Sequence, residues 1–244
     1  MTETRPVALV QGANRGIGLA FVEGLVERGY RVIGTCRNPD DATALHALSV
    51  PTLALDLEKE ASIAGAAEQV SAMTDRIDLL LNVSGVLHGP DFCPEKRLEH
   101  LEADAMHKVF AVNAFGPALV AKHFFSLLAH SERAVLANLS ARVGSIGDNR
   151  LGGWYTYRAS KAAQNQLTRT LAIEAKRRAR RLIVVGLHPG TVDTGLSQPF
   201  QRNVPPEKLF SRERAATQLL DVIDGLTVED SGGFFAWDGQ PIPW

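Results

Sequence analysis

The chain has 244 residues, 45% of them hydrophobic and 22% charged, with a formal net charge of -1. That length suits one large α/β domain or two small ones, and the near-neutral balance gives no general electrostatic reason to bind nucleic acid or an anionic membrane. Two cysteines, Cys36 and Cys93, in no CxxC or zinc spacing exclude a disulfide-stapled secreted scaffold and lead us to expect a reduced, cytoplasmic setting.

The first residues, MTETRP, carry no secretory cleavage pattern, and no apolar segment approaches the length expected of a bilayer span. Val7 to Val10 is a short apolar run followed at once by glycines and then by Ile17, Phe21 and Leu25 at helical spacing. This predicts a buried strand, a tight turn and an amphipathic helix. The turn reads Gln11-Gly12-Ala13-Asn14-Arg15-Gly16-Ile17-Gly18. Its glycines let the backbone turn sharply and approach a pyrophosphate, which the free N–H groups and dipole of the following helix would stabilise. An ordinary glycine-rich turn is the other reading.

A second strand, Arg31 to Cys36, follows at the spacing of a βαβ unit and runs out into Arg37 with no carboxylate. An acidic residue there would bind a ribose 2'-hydroxyl, whereas basic residues accommodate a 2'-phosphate. Arg15 and Arg37 therefore favour NADP(H) over NAD(H), unless they are plain surface charges. Further apolar runs at Thr52 to Leu55, Leu79 to Leu81, Ala134 to Ala137, Leu182 to Gly186 and Phe234 to Ala236 bring the count to seven strands, separated mostly by helical segments. The expected fold is α/β, a Rossmann-type doubly wound parallel sheet flanked by helices, and the expected domain is one unit over 1–244. A loop rich in Pro, Gly, Gln and Thr, at about 189–210, is expected to cover a substrate site.

Tyr157 and Lys161 lie four residues apart in GGWYTYRASKAA, on one face of a predicted helix. A nearby ammonium favours phenolate, which would make Tyr157 a general acid or base at working pH; taken alone, the pair also reads as an ordinary helix with one Tyr and one Lys a turn apart. The basic run Lys176 to Arg181 reads as a solvated helix C-terminus in preference to a nucleic-acid patch, and the seven histidines show no metal-ligand spacing.

The glycine loop, Asn82-Val83-Ser84-Gly85, Asn113, the Tyr157/Lys161 pair and His188-Pro189-Gly190-Thr191 occur in one order and spacing. Together they resemble the short-chain dehydrogenase/reductase family over the whole chain. ARVGSIGDNRLGGWYTYRASKAA and GGFFAWDGQPIPW are similar to its C-factor and Sniffer-like carbonyl reductase branch. The resemblance implies that Asp56 and Leu57 meet adenine, that Asn82, Ser84 and Gly85 lie beside the adenosine ribose, and that Pro189, Gly190, Val192 and Thr194 meet the nicotinamide amide. It implies further that Asn113 kinks its helix and holds a water in a proton relay, that Tyr157 is the acid/base, and that Lys161 binds the nicotinamide ribose and lowers the Tyr pKa.

One position departs from that family. Its substrate-polarising serine falls at Ala141, and Ser140 is the expected replacement, with Ser145 a few residues on as the other candidate. Gln11 stands where the family usually has Thr, a change expected to touch turn packing alone. The implied activity is reduction of a small carbonyl compound, an aldehyde, ketone or quinone, to an alcohol, or the reverse. The alternative is an NADP(H)-binding regulatory protein with little turnover. Residues around Val86 to Pro94, Ser145 to Trp154 and Leu196 to Val204 are expected to line the pocket, with Phe92, Leu151, Trp154 and Phe200 as its apolar walls. The resemblance also implies a homodimer or homotetramer formed through the helices that carry Asn113 and Lys161.

Overall fold

The computed structural model describes residues 5–130 and 132–244. Its strands and helices follow in chain order: β1 (Val7–Gln11), α1 (Gly16–Glu27), β2 (Arg31–Cys36), α2 (Thr43–Ala47), β3 (Thr52–Ala54), α3 (Glu60–Met73), β4 (Leu79–Asn82), α4 (Ala103–Phe110), α5 (Gly116–Leu128), β5 (Ala134–Leu139), α6 (Tyr155–Arg178), β6 (Leu182–His188), β7 (Thr191–Val192), β8 (Leu209–Phe210), α7 (Arg212–Gly225) and β9 (Phe234–Ala236).

All seven expected strands form one sheet in the order β3-β2-β1-β4-β5-β6-β9, and every neighbouring pair is parallel. Strand order reverses between β1 and β4, so the C-terminal ends of these strands open a crevice there, the usual place for a ligand in such sheets. The strands are apolar throughout because both faces are covered. Alternation divides them cleanly. Ala8 and Val10 face a core with Phe21, Leu25 and Leu219 of α1 and α7, while Leu9 faces one with Ile63, Phe124 and Ala172 of α3, α5 and α6. Each such fully buried Leu or Phe contributes about 1.5–3 kcal/mol over an exposed one.

Two departures from the sequence expectations stand out, and one expectation, the kink at Asn113, takes a definite form. The loop after β6 is pinned at its two ends by the short parallel pair β7 and β8, with Thr191 opposite Leu209 and Val192 opposite Phe210. Between α4 and α5 the helix widens into a π turn, Ala111–Phe115, with Asn113 buried at its centre. Finally, the continuous helical run Ala103–Leu128 is long and apolar enough to cross a membrane, contrary to the expectation that no segment is. Interspersed polar residues such as Asp104, Lys108 and Lys122 hide this from a search for apolar runs. Half of its most apolar window is buried, with Val120, Phe124 and Leu128 in the core beneath the sheet, so a packing role accounts for its composition.

Candidate active site

The glycine turn after β1 is built for close backbone approach. Gly12 has φ +83, and a Cβ on it would overlap the Ser84 hydroxyl; a Cβ on Gly18 would overlap the Gly12 carbonyl. Gln11 holds the same place from the other side: its Nε2 donates to Ser84 Oγ at 2.9 Å, and Ser84 N donates to its Oε1 at 3.2 Å. The Thr-to-Gln departure therefore ties β1 to the loop after β4, which goes beyond turn packing. α1 has no capping side chain at Arg15, leaving its first N–H groups open to an anion. Asn14, Arg15 and Arg37 are exposed, and neither arginine has an ion-pair partner among the described residues. These features fit the pyrophosphate and 2'-phosphate of a dinucleotide.

Other expected cofactor residues gather round this turn. Thr194 Cγ2 lies 3.5 Å from where a Gly16 Cβ would be, so the loop after β6 folds back over the turn. Val192 is buried with Phe210, and Ile17 and Trp237 pack on them; Gly190, at φ +78, sits under the Phe210 ring. Pro189 joins β6 to this loop. Asp56, just past β3, accepts from Glu58 N at 3.1 Å and faces Lys59 at 3.4 Å. Two side chains are turned away from the crevice. Leu57 packs under Gly116, and Asn82 donates to Asn138 Oδ1 at 2.8 Å and to the Pro117 carbonyl at 3.4 Å, so both have mainly backbone to offer a cofactor.

The expected catalytic groups converge beside Gly85. A Cβ there would lie 3.5 Å from Asn113 Oδ1 and 3.6 Å from Lys161 Nζ. Asn113 reaches out of the π turn to both polar groups of Val86, accepting from its N and donating to its O at 2.8 Å each, and donates to Ser160 Oγ at 3.0 Å. Ser160 in turn donates to the Tyr157 carbonyl at 2.8 Å. π turns inside helices recur at functional sites, and here the extra residue per turn aims Asn113 at the strand-end loop. Lys161 Nζ donates to the Leu139 carbonyl at 2.8 Å and to Gln164 Oε1 at 3.0 Å, and stands 6.0 Å from the Tyr157 ring centre.

Burial governs the electrostatics of the pair. It pushes the Tyr157 phenol up from its ordinary value and the Lys161 ammonium down to about 7. Each is driven toward its neutral form by loss of water, so the Tyr157 phenol moves opposite to the lowering expected from Lys161: with the ammonium itself disfavoured by burial, desolvation outweighs its attraction. His188, at the end of β6, is pushed down to about 4, first by burial and then by the Arg142 charge.

The replacement expected for Ala141 needs correction. Ser140 Oγ donates its only proton to Asn165 Oδ1 at 2.6 Å, in a buried contact two turns along α6 from Tyr157. A hydroxyl committed in this way has no proton left for a substrate oxygen. Strand alternation carries Ser140 to the helix side. Ser145 differs: it is buried just past the 3-10 turn Arg142–Gly144, its oxygen accepts from Asp148 N at 3.1 Å, and its hydroxyl donates to no group among the described residues. Gly144 brings that turn onto the catalytic helix, since a Cβ on it would lie 2.7 Å from Lys161 Cβ.

Of the expected pocket walls, Trp154 meets Tyr157 edge-on at 6.2 Å and Phe200 at 5.1 Å, and Phe200 meets His88 at 5.7 Å. Phe92 folds against Gly89 with Lys108 above its ring. Leu151 is 92% exposed and lines nothing. Two polar residues at the site lay outside the expected set: Gln164, which shares the helical face of Lys161 at i+3, and Glu95, whose contacts with α6 span 61 residues of chain. Spacing offers a signal for the first and none for the second.

A family model described as short chain dehydrogenase matches residues 6–205. C-signal of Myxococcus xanthus is 32% identical over 171 residues, covering 70% of this chain and 95% of its own. The NADPH-bound carbonyl reductase from chicken fatty liver shares the fold at a TM-score of 0.88 and 29% identity, over 99% of this chain and 100% of that one. The carbonyl reductase Sniffer of D. melanogaster gives 0.87 and 25%, with the same coverage.

Proposed function

This chain belongs to the short-chain dehydrogenase family, and on that premise we propose that it is an NADPH-dependent reductase converting an aldehyde, ketone or quinone to an alcohol, with Tyr157 as proton donor. The observation that carries this reading is the meeting of Tyr157, Lys161 and Asn113 beside Gly85, next to a glycine turn that carries Arg15, with Arg37 at the end of β2 and neither arginine ion-paired among the described residues. The chicken fatty liver relative with NADPH bound supports the same cofactor and class of substrate. NADPH supplies a hydride when bound. The glycine turn, Arg15 and Arg37 would hold its phosphates, and Lys161 its nicotinamide ribose.

Tyr157 gives its phenolic proton to the carbonyl oxygen as charge builds there. The neutral phenol that burial enforces is the form this step needs. Lys161, kept in place by Leu139 and Gln164, stabilises the phenolate left behind. Ser145 is the hydroxyl we assign to the charge on the substrate oxygen, in the place of the serine missing at Ala141; such donors are worth about a hundredfold or more in rate. Trp154 and Phe200 favour a substrate with an apolar or aromatic body.

A second reading is an NADP(H)-binding regulatory protein with little turnover. It is favoured by Ala141 and by the likeness to C-signal. NADPH consumption with a panel of aldehydes, ketones and quinones separates the two, provided NADPH binding is first established by fluorescence. Turnover supports the reductase, and binding with no turnover supports the second reading. We also propose a homodimer or homotetramer through α5 and α6, the second of which exposes Leu167 and Ile173; sedimentation velocity tests it, a monomer being the contrary result.

A further inference from the structure

The helix that carries Tyr157 and Lys161 starts in an unusual way. Gly152, Gly153 and Trp154 are three successive left-handed residues, with φ of 63, 65 and 52. For the glycines this is free, but for Trp154 it costs about 1–2 kcal/mol. Trp154 also stands at the N-cap of α6 and has no side-chain oxygen to cap it.

Glu95, from the loop after β4, supplies what that position lacks. Its carboxylate accepts from Thr156 N at 3.2 Å and from the Thr156 hydroxyl, and its carbonyl accepts from Trp154 N at 2.5 Å. On the other side, Arg158 donates to the carbonyls of Gly153 at 2.9 Å and Gly152 at 3.1 Å. The Glu95 residue is only 4% exposed, and no cation lies within 4 Å of its carboxylate among the described residues. A buried, unpaired carboxylate is costly unless hydrogen bonds and a helix N-terminus offset it, as they do here.

A Ser or Asp at 154 would cap the same helix locally without burying a distant charge. What the present arrangement adds is an indole at that position, set against the Tyr157 and Phe200 rings. We infer that Glu95 is a positioning residue of the site: it fixes the first turn of α6, and with it the Tyr157 phenol and the Trp154 wall of the carbonyl pocket. The inference rests on the reductase reading. Thr156, held twice by Glu95, is the residue before Tyr157, so loss of the clamp frees the turn in which the phenol sits. Displacement of a reacting group by about 1 Å costs on the order of a hundredfold.

The test compares wild type with Glu95→Ala, Glu95→Gln and Thr156→Val for kcat, KM and NADPH dissociation constant, after circular dichroism shows each to be folded. The expected result is a kcat lowered about tenfold or more in Glu95→Ala, partly recovered in Glu95→Gln, which keeps one acceptor, with NADPH affinity within about threefold of wild type. A residue that only stabilised the fold would lower the unfolding midpoint and leave kcat alone. If kcat stays within about twofold of wild type in the folded variants, the inference is overturned. Should Glu95→Ala not fold, Glu95→Gln and Thr156→Val decide by the same criterion. Wild type that binds NADPH but turns over none of the panel overturns the reductase reading itself, a result distinct from an active wild type with indifferent variants.

Discussion

Lys161 Nζ lies 3.0 Å from the side-chain oxygen of Gln164 and 2.8 Å from the Leu139 carbonyl, so the ammonium beside Tyr157 is held by two protein acceptors. Gln164 is itself buried, with no hydrogen-bond partner for its Nε2 among the described residues. Replacement by Leu, close in size, removes one acceptor from a buried charge, a loss of about 1–3 kcal/mol in the charged form. Gln164→Leu is expected to lower kcat about tenfold, which steady-state kinetics would measure; an unchanged kcat would show that Leu139 alone suffices.

The proposed cofactor choice rests on Arg15 and Arg37, which have no ion-pair partner among the described residues. Removing one charge from a phosphate contact costs about 1–3 kcal/mol, so Arg37→Ala should weaken NADPH binding about tenfold or more while leaving NADH binding nearly unchanged. Fluorescence titration with both nucleotides checks this. Equal losses for the two would mean that Arg37 does not face a 2'-phosphate.

The two serines near Ala141 should separate. Ser140→Ala removes a buried bond to Asn165 and is expected to lower stability by about 1 kcal/mol with little effect on kcat. Ser145→Ala is expected to keep the fold and lower kcat about a hundredfold. The opposite pattern, read by denaturant unfolding and initial rates, would restore the role to Ser140.

Burial of Lys161 also makes stability depend on pH. Its pKa is about 7 in the folded protein and near the ordinary 10.5 when unfolded, so between those values the unfolded chain binds more protons. Stability of the cofactor-free protein therefore rises with pH from 7 toward 10.5, and the penalty for the buried charge is full below 7. His188, at about 4 folded against 6.5 unfolded, acts the same way below 6.5 and so falls outside a window of pH 7 to 8.5. Within that window urea unfolding should gain about 1–2 kcal/mol in wild type and stay nearly flat in Lys161→Met. Equal slopes would place the ammonium in better-solvated surroundings.

The seven sheet strands were legible because short valine- and leucine-rich runs such as Val7 to Val10 are set off by polar or turn residues and buried on both faces. β7 and β8, two residues each, are too short for any periodicity to mark. Tyr157 and Lys161 could be read from helical spacing, whereas Asn113 came only through resemblance, since nothing in AVNAF announces a π turn. Ser140 failed for a reason visible in the chain: adjacent strand residues face opposite ways, and β5 extends to Leu139, with Ser140 N still bonded to the Leu187 carbonyl. Glu95 could not be found at all, because its value lies in a partner 61 positions away.

The central claim is that Tyr157 transfers the proton in carbonyl reduction. The most direct test is NADPH consumption by wild type and Tyr157→Phe on a carbonyl substrate from the panel, with NADPH binding measured in both. The account predicts that the variant binds NADPH within about threefold of wild type and loses kcat by a factor of about a hundred or more. A folded Tyr157→Phe protein that still reduces the substrate at near wild-type rate would contradict it.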